Sequence, residues 1–111
     1  MPVEKWSDTV VVVHLGNDPQ FSEDLESLEE RIGQGKVDAL LDLSAVGYIN
    51  SSNIARLLKI RKMMVASDSR LVLCGVNNRI WSTLLITGLD KIFKFSDDVP
   101  TGLATLQMAA S

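Results

Sequence analysis

The densest set of chemically capable side chains in the 111-residue chain is the run Ile49-Asn50-Ser51-Ser52-Asn53. Two hydroxyls and two amides stand just ahead of a stretch with helical periodicity. Residues of these types start helices. A side-chain oxygen accepts a hydrogen bond from an otherwise unpaired first-turn amide, which is worth about 0.5–2 kcal/mol. Ser51 and Ser52 are expected to fill that capping role. The same position suits an anion, because free amides and the positive end of the helix dipole converge there. A serine at such a start can therefore carry a phosphate, which adds about −1.5 to −2 charges. Capping alone, and capping combined with modification, look the same in local sequence.

The remaining candidates for chemistry are sparse. His14 is the only histidine and falls in a strand-like run, where packing is the expected role. A Ser–His–Asp arrangement would need it, and no G-x-S-x-G elbow is present. No P-loop pattern occurs. One histidine and one cysteine make a poor metal set. Asp38 and Asp42 are four apart in a strand and share a face, with Asp42 expected to serve the following turn. Cys74 lies in an apolar run and reads as a small buried hydrophobe that cannot form an internal disulfide. No catalytic residue, metal site or cofactor is expected.

The formal net charge of −3 argues against a nucleic-acid partner, since phosphate-backbone binders carry a basic excess. The apolar runs are far short of a bilayer span, and the first residues show no secretory signal. The lone cysteine leans the same way, so a cytoplasmic location is expected.

Elements must position the serine-bearing turn. Residues 9–15 (TVVVVHL) read as a buried strand, with a short strand before it around Lys5 and Trp6 that turns through Ser7 and Asp8. Gly16-Asn17-Asp18-Pro19 is a dense turn signal. Phe21, Leu25, Leu28 and Ile32 then form a narrow apolar stripe, opposite Glu23, Asp24, Glu26, Glu29 and Glu30. Gly33 or Gly35 should close that helix. Residues 37–43 read as a second buried strand. A helix should run from about Asn53 to Ala66. Its apolar arc holds Ile54, Leu57, Leu58, Met64 and Val65, and another side carries Arg56, Lys59 and Lys62. That basic side is either a solvated face or a docking surface for an acidic partner. Arg61 falls inside the apolar arc, so it either snorkels past the sheet edge or belongs to a contact. A third strand at 70–76, a helix from Asn77-Asn78 to Thr87 stopped by Gly88, a strand at 91–95 and a last helix capped by Ser96-Asp97-Asp98 complete the chain. The alternation predicts one α/β domain over residues 1–111, with a largely parallel sheet.

Three segments carry a resemblance to a known family. Residues 40–58 read LLDLSAVGYINSSNIARLL, residues 70–76 read RLVLCGV, and residues 84–93 read LLITGLDKIF. In this order and spacing they resemble the STAS domain family, of the anti-sigma factor antagonist type. The resemblance implies a mixed, mostly parallel sheet of about four to five strands with about four helices. It also implies a module that acts through a protein partner: an anti-sigma factor that is often a serine kinase, with a phosphatase reversing the modification. By motif position the phosphoacceptor falls on Ser51. The partner-facing set becomes Asn17 and Asp18 in the first loop, Asn50, Ser51, Ser52 and Asn53 in the turn, and Arg56 and Lys59 on the helix. The chain departs from the family pattern at Asn50, where an Asp is usual, and at Asn53, where a Gly is usual. Asn53 is thus expected to place a side chain on a surface that the family keeps bare. A monomer without cofactor, nucleic acid or membrane insertion is expected. The alternative role is an unphosphorylated scaffold or a transporter-associated subunit.

Overall fold

Val10, Val11, Val12 and Val13 are all buried, because the strand that holds them is covered on both faces. The computed structural model describes residues 3–110. Its elements are β1 (Val3–Lys5), β2 (Val10–His14), α1 (Gln20–Gly33), β3 (Asp38–Asp42), α2 (Ser51–Ala66), β4 (Leu71–Cys74), α3 (Asn78–Thr87), a 3-10 turn (Leu89–Lys91), β5 (Lys94–Ser96) and α4 (Val99–Ala110). The five strands form one sheet in chain order, with β1 antiparallel to β2 and the others parallel. This is the mixed, mostly parallel sheet with four helices that the family resemblance implies.

Strand alternation divides the core in two. Val11, Val13, Ala39, Leu41 and Leu73 face α1, α2 and α3. Val10, Val12, Leu40, Val72 and Cys74 face Leu103 and Leu106 of α4. This helix lies close to the sheet because Gly102 has no side chain: a methyl there would sit 2.5 Å from Leu40 Cδ1. Cys74 behaves as the expected buried hydrophobe, and burial pushes its thiol up to about 12. At the foot of the sheet, Asp38 Oδ1 accepts the Arg70 amide at 2.8 Å, and its Oδ2 pairs with the Arg70 guanidinium at 3.3 Å.

Several side chains differ from the sequence reading. In α1 the stripe Phe21, Leu25, Leu28 and Ile32 is buried as expected, but Asp24 is buried with it and is not on the acidic face. Position 24 lies between Phe21 and Leu28 in the helical period, so geometry overrides residue type. Gln20 Nε2 donates to Asp24 Oδ1 at 2.6 Å, and burial raises the Asp24 carboxyl above its ordinary value. In α2 the buried face is Asn53, Leu57, Ile60 and Met64, whereas Leu58 and Val65 are exposed. The helix shows the sheet a stripe narrower than its apolar composition suggests. Arg61 lies at the edge of that stripe, and its Nε donates to the Ile92 carbonyl at 3.0 Å. The strand expected at 91–95 starts later, at Lys94, because the 3-10 turn takes up residues 89–91.

Candidate functional site

The C-terminal ends of β2 and β3 and the N-terminal ends of α1, α2 and α3 meet at one end of the sheet. The turn that leaves β3 is set by Asp42, as expected: its Oδ1 accepts the Ser44 amide at 3.0 Å. Its Oδ2 lies 2.8 Å from His14 Nδ1, the neighbouring strand end. Burial pushes the Asp42 carboxyl upward, but the Ser44 amide and His14 outweigh it and hold it below the ordinary value. Gly75, at φ +70°, closes over this turn. A Cβ there would meet Ser44 N at 3.0 Å, so the left-handed backbone and the close approach both need a glycine.

The cap of α2 differs from expectation. Asn50, not a serine, is the capping residue: its side chain accepts from the Asn53 amide at 2.8 Å. Asn53 Oδ1 in turn accepts from the Asn50 amide at 3.0 Å, closing a reciprocal capping box. Ser51 and Ser52 are therefore the first two helical residues, both exposed. Neither hydroxyl takes part in a hydrogen bond among the described residues. Asn50 is the cap because its backbone is extended, at φ −113° and ψ 179°, whereas Ser51 and Ser52 are already helical.

Asn53 is likewise not a surface group. It is only 3% exposed, and its Nδ2 donates to Asp18 Oδ2 at 2.7 Å. Asp18 Oδ1 accepts from the Ser22 amide at 3.0 Å and the Ser22 hydroxyl at 2.8 Å, which anchors the first turn of α1. The Asn53 bond, then the Ser22 bonds, hold the Asp18 carboxyl below its ordinary value. Asn17 Oδ1 accepts the Gly47 amide at 2.9 Å. Asn17 thus binds the β3–α2 connection and Asp18 the first turn of α2, and both remain exposed at this end.

Arg56 and Lys59 turn toward α1. Arg56 Nη1 lies 3.4 Å from Glu29 Oε2, and Lys59 Nζ lies 2.8 Å from Glu29 Oε1. One carboxylate therefore clamps two cations across the helix pair. The structure brings Asn17, Asp18, Asn50, Ser51, Ser52 and Asn53 together, and places Arg56 and Lys59 one and two turns down α2.

Sequence reasoning missed two contributors. Asn77, read only as a helix start, caps α3 through Ile80 N at 2.8 Å and also donates to the carbonyls of Val46 and Gly47, both at 3.1 Å. It splints the turn before Ser51. Tyr48 is 51% exposed, three residues before Ser51, with the Arg79 guanidinium 6.0 Å from its ring centre. An exposed aromatic in a turn otherwise made of small polar residues was the available signal. Among the described residues no group of three potential metal ligands is present. No helix among them is long and apolar enough to cross a membrane.

Chemically, this end offers an exposed serine pair at a helix start, backed by a rigid net of asparagine and aspartate bonds and flanked by an exposed aromatic. The model of the STAS domain family matches residues 10–102. Among solved structures, an RsbS variant from Moorella thermoacetica superposes with a TM-score of 0.85 at 23% identity, covering 98% of this chain and 96% of that one. An anti-sigma factor antagonist from Mycobacterium paratuberculosis gives 0.78 at 20% identity, covering 95% and 91%. The Bacillus cell fate determinant SpoIIAA, in its phosphorylated form, gives 0.68 at 16% identity, covering 85% and 88%. At these identities the likeness of the structures speaks for the fold.

Proposed function

Because the chain belongs to the STAS domain family, we propose that it works as a partner-switching module of the anti-sigma factor antagonist type, with Ser51 as the phosphoacceptor. The partner is an anti-sigma factor with serine kinase activity, and a phosphatase restores the unmodified form. The contact surface comprises Asn17, Asp18, Asn50, Ser51 and Ser52, with Asn53 as the buried support. Arg56 and Lys59 extend it along α2. The compartment is the cytoplasm.

One observation carries the reading: Ser51 is exposed at the first turn of α2, and capping is done by Asn50 instead. Its hydroxyl is thus free for transfer, and modification leaves the cap intact. A phosphate there meets the helix's positive end within the domain. A partner packed over it meets a desolvated charge, which costs several kcal/mol of binding. The domain itself keeps its shape.

A second reading has its own observation. The Asp18 carboxylate, held on Asn53 beneath the first turn, already places a negative charge at that helix start. Such a charge opposes a phosphate and favours an unswitched scaffold or transporter-associated subunit.

Capture of the partner from the native cell, followed by affinity measurements with Ser51→Asp and Ser51→Ala, tests both. The switch requires a captured kinase, weak binding by Ser51→Asp, parental binding by Ser51→Ala and a phosphopeptide covering Ser51. Equal affinities for both variants, with no such phosphopeptide, leave the scaffold.

A further inference from the structure

At the opposite end of α2, roughly 20 Å along the helix from Ser51, a groove opens between α2, the starts of β4 and β5, and α4. Its volume is about 240 Å³, room for roughly eight groups the size of a water molecule. Met64, Leu71, Phe93 and Leu106 form its apolar floor. Two of its rim residues are apolar and unusually open to solvent: Val65 is 61% exposed and Ile92 39%. Exposed aliphatic side chains beside an apolar hollow mark a surface that gains by being covered.

The charges around the groove are of one sign. Among the described residues Arg61, Arg70 and Lys94 line it, and no acidic residue does. Arg70 is neutralised by Asp38. Among the described residues, neither Arg61 nor Lys94 has a carboxylate within 4.0 Å. Arg61 is also fixed in place, since its Nε is held by the Ile92 carbonyl at 3.0 Å. That bond leaves the two terminal nitrogens of the guanidinium to receive an oxyanion in a fixed fork. In a chain of net charge −3, two uncompensated cations beside an apolar hollow are complementary to a ligand with the reverse arrangement.

We propose that this groove binds a small amphipathic anion, an apolar chain that ends in a carboxylate. The chain lies on Met64, Leu71, Phe93 and Leu106 under Val65 and Ile92, and the carboxylate is shared by Arg61 and Lys94. The site is separate from the partner surface around Ser51, so it stands or falls independently of the switch.

Octanoate matches the volume and serves as the probe, with binding followed by nuclear magnetic resonance of the full, isotopically labelled chain. Saturable shifts are expected at the methyl groups of Val65, Leu71 and Ile92 and at the Lys94 amide, with the resonances around Ser51 unmoved. Octylammonium, with the same chain and the opposite charge, should bind at least about tenfold more weakly. Arg61→Gln combined with Lys94→Gln should weaken octanoate by about tenfold or more. Val65→Glu, at an exposed position that the fold does not depend on, should abolish saturable binding. Three results overturn the proposal: no saturable shift with octanoate, equal binding of octylammonium, or shifts at Val65 and Ile92 that follow protein concentration without any ligand. The last would assign the groove to a second copy of the chain.

Discussion

Asp18 and Asn53 are 35 residues apart in sequence and joined by a 2.7 Å hydrogen bond that ties the loop after β2 to the first turn of α2. The Asn53 side-chain oxygen accepts the Asn50 amide, so one buried amide serves both the helix cap and the loop. Asn53→Ala should therefore lower stability by about 1–3 kcal/mol. A double-mutant cycle with Asp18→Ala in denaturant should show coupling, with the double variant less destabilised than the two singles added together. Strict additivity would mean the bond contributes nothing.

The same bond sets an acid dependence. The Asp18 carboxyl is held below its ordinary value, first by Asn53 and then by Ser22. Its folded pKa thus lies below its unfolded one. The stability it contributes is complete above the unfolded value of about 3.9 and is lost as pH falls through the folded one. Asn53→Ala should make the acid-side loss of stability shallower than in the parent when midpoints are measured between about pH 5 and about pH 2.

Asp24 works in the reverse sense. Burial raises its carboxyl, so the unfolded chain gives up the proton first. Stability then falls as pH rises from about 3.9 through the folded value. Asp24→Asn should remove this fall and make the protein more stable than the parent at pH 7, while the two converge near pH 3. Equal denaturation midpoints at both pH values would contradict this account.

At the start of α2 the two residue types separate cleanly. Asn50→Ala should cost about 1 kcal/mol, because the first-turn amide loses its acceptor. Ser52→Ala should change stability by no more than about 0.5 kcal/mol, since its exposed hydroxyl bonds nothing among the described residues. Thermal or urea unfolding of the two variants checks the ranking.

Leu28 is fully buried between α1 and the sheet. Leu28→Ala should cost about 2–5 kcal/mol. A loss below about 0.5 kcal/mol in urea would show the α1 interface to be slack.

What the sequence made legible follows from which properties are local. The buried valines 10–13, the α1 hydrophobic stripe and the Gly88 stop depend on near neighbours, and they appear as read, although the strand covers Val10–His14 and leaves Thr9 and His14 exposed. The end of the sheet that gathers the polar turn was also legible, because α/β alternation puts strand C-termini and helix N-termini together. The choice of cap was not. Asn50, Ser51, Ser52 and Asn53 are all good capping residues, and only backbone geometry selects among them. Pairings across elements were hidden for the same reason. Nothing near Arg56 or Lys59 announces Glu29, and nothing near Arg61 announces the Ile92 carbonyl. Ile60 and Val65 are both β-branched and apolar, yet opposite in exposure, because the sheet meets only one line of α2.

Among the described residues the sheet ends on both sides in strands of only three residues, β1 and β5, and each carries an outward lysine, Lys5 and Lys94. A short, charged border offers little ladder for a foreign strand to extend. At high concentration, copies therefore have little native edge along which their sheets could merge into a continuous ribbon. Insoluble fibre formation by this chain should consequently begin from its unfolded state and not from the native border.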